Sequence, residues 1–555
     1  MVHLTRKKKH GIVYLYLEQT ARVNGKSKRV WQKYLGREDT IIESASLRVE
    51  DAYSTRVLDL GLPVTLLAVA KELKLVEIIN DVTRKRDQGL SVGHHFLLAA
   101  LQRCVQPASK SKLEKWLENT YLPDLLPRID VNVDASAYWT HFKHVDDTTI
   151  EQIEIALSQR LLDLYNVDLD CVLFDPTNFY TYINPDEEAE GGELLARHGY
   201  SKENRFVLNI VNLSLFCTRD GAMPLFHDVY PGNVQDSNHF KDVIPRFVSR
   251  LAKLHRSPKD VTLVFDKGNI SKDAFSWLDE EKINYIVSVR PSSHKDLMAI
   301  SPDEFKIAIL PNKKEVGYLE FQRMMHGKKR RLIAVYNPRQ ASWQQKNMET
   351  KVDKIISCVH EFFKERLNEK KWTHVENVKE KINSIVGGGK YKKLVKHETW
   401  IDDSGRVQYS IDRDKAAIKF HIDTLGKSFL MTSQEAWTAL DVVWTARQQF
   451  EIEHVFKCLK HPDFLRIRPM FHRKDHCIRG HVFTCVLGYL LLSILFRKLL
   501  DAGLVTSLEN MVDLLREIKV TRIIFGDRER VINKLSEMSS AAEKIANYLE
   551  LRRFL

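Results

Sequence analysis

Two short apolar runs in this chain end in the same residue type. Val172-Leu173-Phe174 leads into Asp175, and Leu263-Val264-Phe265 leads into Asp266. Each run reads as a buried strand, which puts each aspartate at a strand's C-terminal end. A lone aspartate there is usually a cap or turn residue, but two in matching positions weaken that reading. Two carboxylates held together repel one another and favour a divalent cation. Oxygen-only ligands suit Mg²⁺ or Mn²⁺. A third ligand has to come from a helix packed near the same edge. In EIEHVFKCLK, residues 451–460, Ile452, Val455, Phe456 and Leu459 form one apolar stripe, with Glu453, Lys457 and Lys460 projecting to its side. Glu453 then sits between buried and open surface. Lys460, two turns further along, is placed to hold a phosphate. Glu451 competes for the ligand role but lies on the other flank of the stripe. Three such carboxylates form a cradle for two metal ions about 3.5–4 Å apart, which serve in-line phosphoryl displacement by a water or a 3′-hydroxyl. Nearby Lys and Arg would hold a phosphodiester backbone and make binding salt-dependent.

The elements that must position these residues follow in order. DLDCVLFDPTNFY, FVLNIVNLSLFCT and AMPLFHDVYPGN read as three strands of an antiparallel meander. A helix at 237–254, a strand at 261–269, a second helix and a strand at 284–290 complete the unit. That order is expected of an RNase H-like α/β core, a mixed five-stranded sheet with flanking helices. In such a sheet the first and fourth strands lie side by side, so Asp175 and Asp266 would face each other. Residues 291–430 break the rhythm and read as an α+β insertion, with QYSIDRDK and KFHID as short strands. Gly387-Gly388-Gly389-Lys390 within it lacks the spacing of a phosphate loop, and Tyr391 stands where that loop needs a hydroxyl residue, so a turn is expected. Residues 431–500 complete the core, with a continuous helical pattern over 436–460 and a buried helix over 482–496. Residues 501–555 read as a helical tail. N-terminal to the core, 1–50 reads as a basic β-hairpin module turning at Asn24-Gly25, and 51–165 as an all-α domain. The hairpin is either a DNA-touching arm or a solvated surface. The helical domain is either DNA-binding or a spacer or dimerisation unit.

The chain has 555 residues, 44% of them hydrophobic and 28% charged. That composition excludes a mostly disordered, collagen-like or disulfide-scaffold protein. A net charge of +12 favours a polyanionic partner. Seven cysteines without a CxxC pair imply a reducing, cytoplasmic setting, here nucleoid-associated. The longest apolar run, Val482–Phe496, falls short of the roughly 20 residues that a bilayer requires, so no membrane partner is expected. Cys458, His461, His472, His476, Cys477 and His481 supply enough zinc-type ligands, but their spacing is not that of a standard finger. Cys458 and Cys485 read more simply as core residues.

The FDPTN block around Asp175, GYSKENR at 199–205, VFDKGN around Asp266, and IEHVFKCLK with RIRPMFH at 466–472 together resemble the insertion-sequence DDE transposases. The branch in question carries a large insertion between the second Asp and the Glu. The resemblance implies that Asp175, Asp266 and Glu453 are a catalytic, metal-binding triad using two Mg²⁺ or Mn²⁺ ions. It matches Lys460 to the lysine that follows the family's glutamate. It also implies double-stranded DNA partners, both element ends and target, and a homodimer in the DNA complex. Where the family signature has arginine and tyrosine this chain has Gln449 and Ala446, so a hairpin intermediate is not implied. Arg466, Arg468, His472 and Arg473 follow the Glu453 helix and are candidate phosphate contacts. Tyr200, Lys202 and Arg205 either approach DNA near the metals or form a charged turn. Two rivals remain open: a nuclease of the same fold that never joins strands, and a DNA-binding protein of transposase descent without catalysis.

Overall fold

The structure is a computed structural model that describes residues 2–23, 26–46, 52–83, 90–126, 133, 135–182, 194–269, 271–525 and 530–555. The chain divides into two units. The smaller comprises Met1–Thr65, Lys115–Arg128 and Gly503–Leu555, and the larger Leu66–Glu114 and Ile129–Ala502.

The smaller unit begins with β1 (Val2–Lys9), β2 (Ile12–Val23) and β3 (Lys26–Arg37), an antiparallel three-stranded sheet. The expected hairpin is thus a meander. Its first strand is the Lys-rich run itself, whose charges sit on an exposed edge where they cost little. His10 and Gly11, both at positive φ, make the β1–β2 turn. Asn24-Gly25 lies outside the described residues. A helix, Glu38–Ser46, and β4 (Ala52–Asp59) follow.

The larger unit is built on one sheet. Its strands are β5 (Cys171–Tyr180), β6 (Ile210–Thr218), β7 (Pro224–Pro231), β8 (Thr262–Phe265), β9 (Asn284–Val289), β10 (Lys306–Ile309), β11 (Glu315–Met325), β12 (Lys328–Tyr336) and β15 (Lys427–Thr432). Their order is β10-β11-β12-β15-β9-β8-β5-β6-β7. The expected meander is present, and β5, β8 and β9 run parallel with the helices Asp236–Lys253 and Lys272–Glu280 between them. The sheet has nine strands rather than five, because the segment read as an insertion enters and leaves through it. Residues 306–336 are so rich in charge that their alternation is hard to see, but β11 and β12 pair tightly around a turn at His326-Gly327.

Between β12 and β15 the chain makes a separate core. The helices Pro338–Phe363 and Val375–Val386 pack on a hairpin, β13 (Val395–Ile401) and β14 (Val407–Arg413), through Val352, Val359, Val378, Ile382, Val407 and Ile411. KFHID is part of a helix, Lys415–Asp423, and not a strand. Its i, i+2 apolar spacing mimics a strand, but Asp414 caps the helix by accepting from the Ala417 N–H at 3.0 Å. Gly387, at φ 69°, ends the helix Val375–Val386. The Gly-rich stretch therefore lies at a helix C-terminus, the wrong pole for a phosphate.

The pattern over 436–460 is two helices, Ala439–Arg447 and Phe450–Lys460, broken at Gln448-Gln449. Residues 501–555 are not wholly helical. The helix Leu508–Glu517 leads into β16 (Lys519–Phe525) and β17 (Arg530–Leu535), then the helix Ser540–Tyr548. β16 pairs with both β17 and β4, a partnership between distant segments that no local pattern reveals.

The helix Asp475–Asp501 is long and apolar enough to cross a bilayer, yet 83% of its apolar window is buried inside the protein. It lies against the helix Val92–Val105. A Cβ on Gly488 would meet Leu465 Cδ2 at 2.7 Å, Cys104 Sγ at 3.1 Å and the Ala100 carbonyl at 3.3 Å. Gly488→Val should overpack this contact and cost about 2 kcal/mol, read as a lower unfolding temperature. An unchanged melting curve would show that the two helices have room to spare.

Candidate active site on two parallel strands

β5 and β8 are both apolar and buried, and they pair in parallel with Cys171 beside Thr262, Val172 beside Leu263 and Leu173 beside Val264. Continued past the paired residues, this register brings Asp175 level with Asp266; Asp266 does follow the end of β8, but Asp175 is not the end of its strand as expected, because β5 runs on to Tyr180 in its pairing with β6. β8 ends there in a single 3-10 turn, Lys267–Asn269. From the next strand, Ser288 donates to Asp266 Oδ1 at 2.5 Å and accepts from the Lys267 N–H at 3.3 Å, fixing that carboxylate's orientation.

Asp175 carries the strongest electrostatic signature of the site. Burial pushes its pKa up to about 7; Lys202 opposes the rise, and Asp266, Glu453 and Asp236 add to it. Three acids other than itself therefore act on one partly exposed carboxyl. Glu453 comes from the helix Phe450–Lys460, which turns Ile452, Val455, Phe456 and Leu459 inward and leaves Glu453 exposed. Glu451 is subject instead to His454 and Asp220, and burial raises its pKa. Among the described residues, no three His, Cys, Asp or Glu side chains already converge into a metal cage. The donor set nevertheless fits a hard divalent cation. It is carboxylate oxygen, and its mutual repulsion is what such a cation would relieve.

Basic side chains gather beside these acids. Lys460 donates to Thr177 Oγ1 at 2.8 Å and pairs with Glu203 at 3.2 Å, tying its helix to β5. Burial lowers the pKa of Lys460. Arg468 pairs with the same Glu203, and its guanidinium lies 5.5 Å from the Tyr180 ring centre. Arg205 reaches that ring as well, at 5.6 Å. Lys202 donates to the Pro176 carbonyl at 2.7 Å and pairs with Asp236 at 2.9 Å. Asp236 also accepts from the Tyr230 hydroxyl at 2.9 Å. The loop around Lys202 is pinned by Asn178, which donates to the Tyr200 carbonyl at 2.9 Å and accepts from the Lys202 N–H at 3.0 Å. Tyr200 itself is 78% exposed. A cleft of about 270 Å³, lined by Asn178, Tyr200, Lys202, Asp236 and Gly268 among others, opens beside these groups.

Not every residue singled out in the sequence joins this assembly. The segment after the Glu453 helix is bridged to the end of β5, where the Tyr182 N–H donates to the Met470 carbonyl at 3.0 Å. Arg466 and Arg473 on that segment are exposed. His472 points into the protein, 4.5 Å from the Trp139 ring and 4.9 Å from His481. Burial, with Lys110 and Arg103 nearby, depresses its pKa to about 3, so it is neutral and presents no charge to a phosphate. Cys458 and Cys485 are buried. Asp236, Glu203, Thr177 and Ser288 were not legible as site residues. Each partners a group distant in sequence.

Residues 168–491 match the protein family described as the transposase DDE domain, more than half of the chain. No curated protein matches the sequence. Among solved structures, the chain is similar to a piggyBac transposase in a cryo-EM synaptic complex with hairpin DNA. The two share 9% identity over 90% of this chain and 88% of that chain, at a TM-score of 0.35.

The raised pKa of Asp175 has a sign that can be checked. Between the ordinary 3.8 and about 7 the folded protein binds more protons than the unfolded chain, so stability falls as pH rises through that window. In metal-free protein, Asp175→Asn should melt higher than the unsubstituted chain above that window and converge with it at the acid end. Identical melting curves at every pH would show that this carboxylate carries no burial penalty.

Proposed function

The chain belongs to the family of transposases with a DDE domain, and we propose that it binds the terminal inverted repeats of its own element, nicks them and joins the freed 3′-hydroxyls to target DNA. The observation that carries this reading is the parallel register of β5 and β8, which continued brings Asp175 level with Asp266, with Asp266 and Glu453 both acting on the Asp175 carboxyl. The strand order β7-β6-β5-β8-β9 supports an RNase H-like core. Asp175, Asp266 and Glu453 would hold one or two divalent ions, Mg²⁺ or Mn²⁺. When bound, such ions activate the attacking water or 3′-hydroxyl and stabilise the leaving oxygen.

The chain's own groups do the rest. Ser288 holds Asp266 at a fixed angle, and Thr177 holds Lys460 against the strand that bears Asp175. Lys460, Arg468, Lys202 and Arg205 bind the phosphodiester backbone and set the scissile phosphate beside the carboxylates, with Tyr200 at the cleft's rim. Arg466 and Arg473 extend the phosphate contacts along the surface. Joining two ends to one target needs two active sites, so the working form is a homodimer on DNA.

Supercoiled DNA carrying the element's ends, incubated with Mg²⁺, should acquire nicks with 3′-hydroxyls and then joined products. Asp266→Ala and Glu453→Gln should abolish both, and EDTA should do the same. Lys460→Ala should slow nicking about 100-fold while keeping the metal requirement. Nicks without joining would leave a nuclease, and end binding without cleavage in either metal would leave a DNA-binding protein.

A further inference from the structure

The segment that follows the Glu453 helix is gripped from beneath by side chains that lie outside the carboxylate site. Three consecutive carbonyls, those of Leu465, Arg466 and Ile467, each face a buried donor. The Cys485 thiol lies 3.8 Å from the first, Arg103 Nη1 donates to the second at 3.3 Å, and His481 Nε2 donates to the third at 3.1 Å. A carbonyl only accepts, so this imidazole carries its proton on Nε2. Burial keeps the ring neutral, which leaves Nδ1 to accept from Lys110 Nζ at 3.1 Å. A relay therefore runs from Lys110, at the start of the turn Lys110–Lys112, through His481 on the helix Asp475–Asp501, to the Ile467 backbone. Lys110 is 3% exposed, and its amine lies 5.9 Å from the ring centres of both Trp139 and Phe142. Burial holds that amine well below its ordinary pKa, and the Arg103 charge presses in the same direction.

A buried amine with a cation for a neighbour costs free energy, so packing alone does not account for it. The backbone it holds is itself strained. Arg466 sits at φ 48°, a left-handed conformation that residues other than glycine keep only where their surroundings impose it. The Arg466 N–H donates to the His461 carbonyl at 3.2 Å, and the Ile467 N–H to the Leu459 carbonyl at 2.8 Å. Ile467 is thus a joint, with its N–H on the Glu453 helix and its carbonyl on His481. Lys460 follows Leu459 in the chain, Arg468 follows Ile467, and the two cations meet at Glu203. We propose that Arg103, and Lys110 acting through His481, are positioning residues that fix the Leu465–Ile467 bend and so set Arg468 beside Lys460 for the scissile phosphate. This inference rests on the proposed strand cleavage and adds to it two residues that act through the backbone.

The test is a double-mutant cycle on the full chain. Lys110→Met removes the donor but keeps an unbranched side chain, so the melting temperature should hold or rise. Nicking of supercoiled end DNA in Mg²⁺ should nevertheless slow about tenfold, because the phosphate contact is misplaced. In the Arg468→Ala background the same substitution should slow nicking no further, since the group it positions is gone. A purely structural role predicts the reverse, a lower melting temperature with losses that add, and that result would overturn the inference. So would a Lys110→Met protein that nicks at the unsubstituted rate, or an Arg468→Ala protein that does. If Lys110→Met fails to fold, Arg103→Met carries the same cycle at the Arg466 carbonyl. If the unsubstituted chain never nicks, the cleavage reading fails by itself. The cycle is then read as anisotropy of a fluorescent duplex in EDTA, where Lys110→Met should weaken binding only while Arg468 is present. Equal weakening in both backgrounds, or none, would overturn the inference there, and a chain that neither nicks nor binds duplex sinks both.

Discussion

The candidate site depends on the parallel register of β5 and β8. Because Cys171 sits beside Thr262, Asp175 within β5 is carried level with Asp266, which directly follows the end of β8. A shift of one residue would also turn one aspartate to the other face of the sheet. The register is enforced by burial, since every residue of β8 and the first four of β5 are interior. The apolar sheet thus holds together two acids that repel each other; burial is the chief cause of the raised pKa of Asp175, and Asp266 adds to it.

The same sheet explains how a long segment can stand between the second aspartate and the glutamate without disturbing either. β9 is followed by chain that returns as β12 and β15, and β15 pairs with β9 itself. The separate core of 338–423 therefore hangs from a continuous sheet and not from a flexible linker. β15 then delivers the chain to the helices that carry Glu453, so the added strands act as a rigid route back to the first two acids.

Much of this was readable in the residues. VLFD and LVFD announced two strands and their acids, though β5 runs on past Asp175 to Tyr180, and the apolar stripe of EIEHVFKCLK oriented Glu453 before any coordinates. What stayed hidden was non-local or locally ambiguous. β16 and β4 are made of ordinary strand formers, but their partnership joins opposite ends of the chain. KFHID alternates like a strand and is overruled by the Asp414 cap. His472 looked basic in a basic run, yet it lies against the rings of Trp139 and His481, and burial with Lys110 and Arg103 nearby lowers its pKa.

The cations around the site show why the partners mattered more than the motifs. Lys460 and Arg468 share Glu203, and Lys202 is shared between the Pro176 carbonyl and Asp236. None of these three is simply waiting for a phosphate. On the proposed reading, DNA must compete with Glu203 for Lys460 and Arg468, which lowers net affinity and makes binding depend on a close geometric match. Lys202 is the more consequential case, because its charge also offsets the repulsion felt by Asp175. Any positive charge bound at the acids would take over that task and leave Lys202 free to turn to the backbone. Binding at the carboxylates and binding of the phosphodiester are then coupled through one side chain, and by linkage each favours the other.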